Sequence, residues 1–389
     1  MTATAPQIGL IDLSVATGHH VVSLTDLAVA TGVDPAKYHV GIGQDEMSLL
    51  APDEDIVTMA ATAAAPIIER HGTSKIRTVL FATESGIDQS KAAGVYVHQL
   101  LGLPSGCRVV EMKQACYSAT AGLQAALGMV ARNPDEQVLL IASDNARYDV
   151  DSAAEATQGA GAVAMLIGAD PALLAIEPVT GVHTADVDDF WRPNDRSTAV
   201  VDGRLSVTAY VDSLLGAWDD YQARGGVAAE EIDRFCLHQP FTRMAAKAFA
   251  QLSNHTGVSR DDTVISSTFT YNRRIGNSYT ASLYFALASV LDNEADVAGR
   301  RIGFFSYGSG SVGELFTAVV QPGYRKALRP GAVTAQLDAR VPVDVPEYRR
   351  IHAAAELASD VDVKTPHVTA APFRFAGIVG RARRYERRS

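Results

Sequence analysis

Cysteine is scarce in this chain of 389 residues: Cys107, Cys116 and Cys236 are the only three. Three thiols make no paired framework, and none sits in a CxxC or His-rich pattern that would hold a metal. A disulfide-stapled secreted scaffold is therefore excluded, and the expectation is a reduced, cytoplasmic protein whose thiols are available for chemistry. Long apolar runs are also missing. No stretch reaches the roughly 20 residues that a membrane span needs, and Met1–Leu13 lacks the basic segment and long apolar run of a secretory signal. Positive charge is in deficit, with a formal net charge of −10. Nucleic acid is not an expected partner, because phosphate binding needs a basic field. The five arginines within Arg381–Ser389 are a local exception, read as a solvated, mobile terminus.

What remains is ordinary for a globular protein, with 47% hydrophobic and 20% charged residues. The length exceeds what one core usually supports, so more than one domain is expected. A repeat supplies the organisation. Ser118–Leu127 and Ser278–Leu287 share Ser, Thr, Ala, Leu, Ala and Leu in register, and the match extends to Val130 and Val290. Their apolar residues run too continuously for surface helices, so both are read as buried. Each is followed by a short apolar run and a second strand-like segment: Val138–Ser143 and Gly159–Ile167, then Ile302–Ser306 and Ser311–Val320. Strand–helix–strand units in this order imply an α/β fold of two similar halves packed around two central helices. The expected boundaries are 1–175 and 230–325 for the halves, 176–229 for an insertion and 326–389 for an extension. The insertion, rich in Asp, Trp, Tyr and Arg between Asp186 and Tyr221, either lines a pocket or decorates the surface. The extension reads as a helix over Glu347–Ala358 followed by irregular chain.

Cys116 stands between a probable strand, Cys107–Met112, and the first buried helix. A thiol at a helix start meets unpaired N–H groups and the positive dipole end, which favour thiolate and a nearby oxyanion. The plainer reading is a packed, inert thiol. His238 closes an apolar strand in Phe235–Phe241, and Glu84 follows another in Val79–Asp88. Strand ends in α/β sheets are where sites gather, although a lone His or Glu there is as readily structural. The Gly-rich segments Ser306–Ser311 and Ile275–Ser278 either bring backbone donors to a ligand or are simply turns.

Taken together, Ala82-Thr-Glu-Ser-Gly-Ile-Asp-Gln-Ser-Lys91, Lys113-Gln-Ala-Cys-Tyr117, His238-Gln-Pro-Phe-Thr242, Gly276-Asn-Ser-Tyr-Thr280 and Tyr307-Gly-Ser-Gly310 resemble the 3-hydroxy-3-methylglutaryl-CoA (HMG-CoA) synthase family of the thiolase superfamily. The resemblance runs from about Gly9 to Arg325. It implies a thiolase-like α-β-α-β-α core and condensation of acetyl-CoA with acetoacetyl-CoA, as in isoprenoid biosynthesis, with no metal and no cofactor beyond the CoA thioesters. It also implies a homodimer. By motif, Cys116 would be acetylated, Glu84 would be the general acid/base and His238 would polarise the acetoacetyl thioester. Asn277 and Ser309 match residues near the acetoacetyl group and the oxyanion site. Asp144, Tyr148, Thr157 and Asp189 match pocket residues, and Tyr210 joins the substrate-binding set. Arg243 and Lys247, at i, i+4 spacing, would meet CoA phosphates, although the family usually has lysine at the first of these positions. Three alternatives stay open: a polyketide-pathway member acting on an acyl-carrier-bound β-ketone, a type-III ketoacyl synthase with a Cys-His-Asn set, and a catalytically silent scaffold.

Overall fold

Small apolar residues decide the centre of the molecule. Gly159–Ala169 is buried along nearly its whole length, and a strand covered on both faces belongs inside a sheet rather than at its edge. The computed structural model describes residues 6–354 and 360–388. Its main sheet has nine strands: β1 (Ile8–Thr17), β2 (Ile76–Ala82), β3 (Arg108–Met112), β4 (Gln137–Ala146), β5 (Gly159–Ala169), β6 (Leu174–Thr184), β7 (Arg234–Leu237), β8 (Arg301–Gly308) and β9 (Val312–Val320). They lie in the order β7-β8-β9-β6-β1-β5-β4-β2-β3. β2 is parallel to both β3 and β4, and β7 is parallel to β8; the other neighbours are antiparallel. The principal helices are α1 (Ile56–His71), α2 (Ser118–Arg132), α3 (Gly203–Ala223), α4 (Thr242–Thr256) and α5 (Ser282–Asn293).

The sheet is two halves joined edge to edge. β1 and β6 pair only at Gly9 with Ala175 and Leu10 with Leu174. A Cβ on Gly9 would lie 1.9 Å from the Leu174 carbonyl oxygen, so only glycine permits this approach. The repeat read from the sequence is real: β1-α1-β2 and α2-β4-β5 in the first half correspond to β6-α3-β7 and α5-β8-β9 in the second. Residues 176–229, expected to be an insertion, contain most of β6 and all of α3, which take the places of β1 and α1. Pro178 and Gly181 interrupt the strand pattern of β6. Gly181 is required there because a Cβ would meet the Ala217 carbonyl of α3 at 2.0 Å.

Alternation along the strands sorts side chains into layers. Leu80, Leu140 and Met165 face a central core with Leu123 of α2, Leu287 of α5, Phe304 and Phe316. Their neighbours Val79, Leu139 and Leu166 face the opposite way, against α1. In the second half Phe305 and Leu315 pack under α3 and α4. The result is five layers, α-β-α-β-α, with α2 and α5 at the centre. Residues Ser282–Leu291 of α5 are all buried, whereas α2 exposes Gly128 and Ala131 near its end.

The extension departs from expectation. After helices at Ala332–Asp338 and Val345–Ala354, residues Val363–Lys364, Phe373–Val379 and Ala382–Arg387 form a three-stranded sheet. Positions 355–358 of the helix expected over Glu347–Ala358 lie outside the described residues. The arginine-rich tail is ordered because an acidic run at the start of α1 receives it. Asp55 caps α1 and also accepts from Arg383 Nη1 (3.0 Å) and the Tyr385 hydroxyl (2.6 Å). Among the described residues no helix is long and apolar enough to cross a membrane.

Candidate active site

The carboxyl ends of β2, β3, β4, β7 and β8 converge, as strand ends do in α/β sheets. β2 delivers Thr83-Glu84-Ser85, β4 delivers Asp144 and β3 leads into Gln114-Ala115-Cys116. From the other half, β7 delivers His238 and β8 delivers Ser309. The halves touch at the cysteine. A Cβ on Gly308 would lie 2.4 Å from the Gln114 carbonyl and 2.7 Å from Tyr117 Cβ, and Gln114 Nε2 donates to the Ser309 carbonyl (3.2 Å). Ala115 takes a positive φ of 44° to make the turn.

Cys116 Sγ donates to Glu84 Oε1 at 2.8 Å. Burial, then the negative charge of Asp144, push Glu84 up to about 8; the Cys116 hydrogen bond and Arg192 pull the other way. Burial and the adjacent Glu84 also raise the Cys116 thiol well above its ordinary value. Both effects oppose the thiolate that a helix start would favour. α2 begins at Ser118, and the N–H groups of Tyr117 and Ser118 donate to the Gln114 and Ala115 carbonyls (3.1 and 3.2 Å). Those donors close the turn instead of facing sulfur.

Asp144 fixes the Glu84 loop. Its Oδ1 accepts from Thr83 Oγ1 (2.8 Å), Glu84 N (2.8 Å), Ser85 N (3.0 Å) and Ser85 Oγ (2.8 Å), and its Oδ2 accepts from Thr280 N (3.1 Å) and Thr280 Oγ1. Burial raises this carboxyl, and the hydroxyl and amide donors oppose that. Asn277 Nδ2 donates to the Tyr148 hydroxyl (3.2 Å), while Asn277 N donates to the Thr157 carbonyl (2.9 Å). The turn before Asn277 is seated so closely that a Cβ on Gly276 would meet the Gln158 carbonyl at 1.9 Å.

His238 is buried, and burial alone lowers it to about 3, so its imidazole is neutral at physiological pH. Tyr210 stacks on it with centroids 6.4 Å apart and donates to its carbonyl (2.7 Å). Asp189 accepts from the Tyr307 hydroxyl (2.8 Å) and from Gly310 N (2.9 Å). Arg243 and Lys247 lie apart from this cluster, exposed on α4. Sequence reasoning missed Thr83, Ser85 and Thr280 as holders of Asp144, although each lies in a quoted motif. It also missed Arg192, whose Nη2 donates to the Glu84 carbonyl (2.6 Å); the only signal was its place in a segment rich in Asp and aromatics.

Comparison with known proteins decides the relationship. The family model described as hydroxymethylglutaryl-coenzyme A synthase N terminal matches residues 5–172, and its C-terminal counterpart matches 174–267 and 256–358. The chain belongs to the hydroxymethylglutaryl-CoA synthase family. A hydroxymethylglutaryl-CoA synthase of Enterococcus faecalis is 42% identical over 91% of this chain and 94% of its own. A solved HMG-CoA synthase complexed with CoA superposes with a TM-score of 0.92 at 37% identity, over 98% of this chain and 100% of that one. The HMG synthase of the curacin biosynthetic pathway, solved with holo donor-ACP, gives 0.93 at 32% identity over 98% and 100%. Family membership makes this chain a condensing acyltransferase with a thiolase-like fold. It removes the type-III ketoacyl synthase reading.

Proposed function

We propose that this protein condenses acetyl-CoA with acetoacetyl-CoA and hydrolyses the enzyme thioester to give HMG-CoA and CoA. The observation that carries the reading is a half-buried thiol donating at 2.8 Å to a carboxylate pushed up to about 8. Cys116 gives up its proton and attacks the acetyl thioester carbonyl, and that proton ends on the departing CoA thiolate. Acetylation puts a methyl group where the thiol proton had been, beside the same carboxylate. Glu84 removes a methyl proton, and the enolate carbon bonds to the ketone carbon of acetoacetyl-CoA. The resulting alkoxide recovers the proton from Glu84. Water then cleaves the Cys116 thioester, leaving the free carboxylate of the product and restoring the thiol. A base in a site shielded from water suits the weak acidity of the methyl group, and neutral His238 can donate a hydrogen bond to the acceptor's oxygen without titrating.

The reaction runs on CoA thioesters with no other cofactor, in the cytoplasm and in the mevalonate route to isoprenoids. Arg243 and Lys247 meet the CoA phosphates near the entrance, while Asn277, Ser309, Tyr148, Thr157, Asp189 and Tyr210 shape the acceptor pocket. The chain pairs as a homodimer; β3 is an edge strand with Arg108 and Val110 exposed, and unpaired edges invite a second copy. An acyl-carrier-bound acceptor is the second reading, supported by the likeness to the curacin enzyme.

Labelled acetyl-CoA tests the first step: wild-type protein becomes acetylated and Cys116→Ser does not. Label retained after that substitution would sink the mechanism. Offering acetoacetyl-CoA and acetoacetyl-carrier protein side by side separates the two acceptors, and faster turnover of the carrier-bound substrate would overturn the first reading.

A further inference from the structure

The hairpin Phe190–Trp191 and Val200–Val201 packs through Phe190 on the Tyr148–Tyr279 cluster that also holds Cys116 and is pinned at several points. Asp189 accepts from Tyr307 and Gly310 below it, Asp202 N donates to the Asp189 carbonyl (3.0 Å), and Thr198 Oγ1 donates to Asp149 (2.6 Å). The Phe190 ring packs edge-on against Tyr148 (6.1 Å) and Tyr279 (5.9 Å). Arg192 follows directly. Arg192 is an exposed residue, yet its Nη2 reaches 2.6 Å from the Glu84 carbonyl oxygen. The Glu84 N–H donates in turn to Asp144, so the base is gripped by its main chain on both sides.

The charged and titratable groups facing Glu84 are Asp144 from β4, Asp189 and Arg192 from the hairpin, Cys116 from the turn after β3, and the Tyr148 and Tyr279 hydroxyls. Two of these are carboxylates, and Arg192 is the cation among them. We propose that Arg192 is the positioning residue of the Glu84 base: it anchors the Glu84 main chain and supplies the positive charge that keeps the carboxylate available for proton transfer. This rests on the reading of Glu84 as the base. Burial and two acidic neighbours drive Glu84 toward its protonated, inactive form, and a cation a few ångströms away shifts a carboxyl down by about 1–3 pH units. Solvent screening of an exposed guanidinium puts the effect at the low end.

The test is the pH dependence of condensation in Arg192→Gln and Arg192→Lys, normalised to the amount of Cys116 that takes up labelled acetate. This counts folded sites. Arg192→Gln should move the acid limb upward by about one pH unit, lowering the rate at pH 7 roughly tenfold while approaching wild type above pH 9. Arg192→Lys should keep the wild-type limb. A rate that falls equally at every pH, or a limb that does not move, overturns the role of Arg192. Glu84→Ala runs alongside. If it still condenses, the base assignment fails and this inference falls with it, whereas an unmoved limb with an inactive Glu84→Ala refutes Arg192 alone.

Discussion

A carboxylate that takes a proton from carbon must be a stronger base than one in water. Glu84 reaches that state by burial and by its nearness to Asp144, which push it up to about 8. Glu84→Ala should still allow Cys116 to be acetylated, because losing the neighbouring negative charge makes the thiol more acidic. Condensation should fall by about 10²–10⁴, measured as labelled product from pre-acetylated enzyme; equal loss of both steps would mark Glu84 as structural. The same shift has a cost in stability. A carboxyl raised from 4.5 to about 8 in the folded state binds a proton more readily there than in the unfolded chain. Its contribution is full below about 4.5 and is lost as pH rises through 8. Glu84→Gln should therefore raise stability at pH 8.5, on the order of 4 kcal/mol, and much less at pH 5, which urea unfolding at the two pH values would show. His238 gives the opposite pattern. Lowered to about 3, it does not titrate between pH 5 and 9, so His238→Ala should cost about tenfold to a hundredfold in kcat/KM for the acceptor without moving the acid limb.

At the scale of elements, the C-terminal helix Val345–Ala354 acts as a strut behind the pocket. Gln158 Nε2 donates to the Tyr348 hydroxyl (2.6 Å), Gln158 Oε1 accepts from Tyr148 N (2.9 Å) and His352 Nε2 bonds the Tyr148 carbonyl (2.9 Å). The Tyr148 hydroxyl then accepts from Asn277 Nδ2. Tyr348→Phe should lower kcat several-fold while costing about 2–3 kcal/mol of stability, since the hydroxyl also donates to Glu155 Oε1 (3.0 Å) and two buried hydrogen bonds are lost. Unchanged kcat in a destabilised protein would show that the strut does not reach the site. The elements nearest the chemistry were the ones legible in sequence. α2 and α5 carry matching small and apolar residues because each must fill the same central layer, and Thr120 of one hydrogen-bonds Tyr284 of the other (2.9 Å). β6 was missed because Gly181, placed for contact with α3, and the exposed Pro178 erase its alternation. The strut was legible as a helix but not in its role, because its partners lie some 200 residues away and local periodicity cannot see them.

At the scale of the whole molecule, the terminal sheet ties the last residues back to the entrance of α1, a link that composition had disguised as a charged tail. Arg374 is 2% exposed. It donates to Asp53 Oδ2 (3.4 Å), Glu386 (2.8 Å) and the carbonyls of Thr365 (2.9 Å) and Pro366 (3.2 Å). Asp53 is fully buried and accepts from Val368 N (2.9 Å) and Thr369 N (3.0 Å), while its carbonyl accepts from Phe375 N (2.8 Å). A network with every group partnered tolerates burial, whereas removing one charge strands the other in a medium that cannot solvate it. Arg374→Met keeps much of the volume and leaves Asp53 unpaired, so it should cost about 3–5 kcal/mol. Arg383 meets Asp55 where the two side chains are 22% and 13% exposed, and Arg383→Ala should cost about 1–2 kcal/mol, less than loss of a fully buried partner. Urea unfolding of the two variants ranks them directly. Equal midpoints would mean that the sheet rests on its backbone pairing and apolar contacts, with Phe373 and Phe375 rather than the ion pair holding the chain's end against α1.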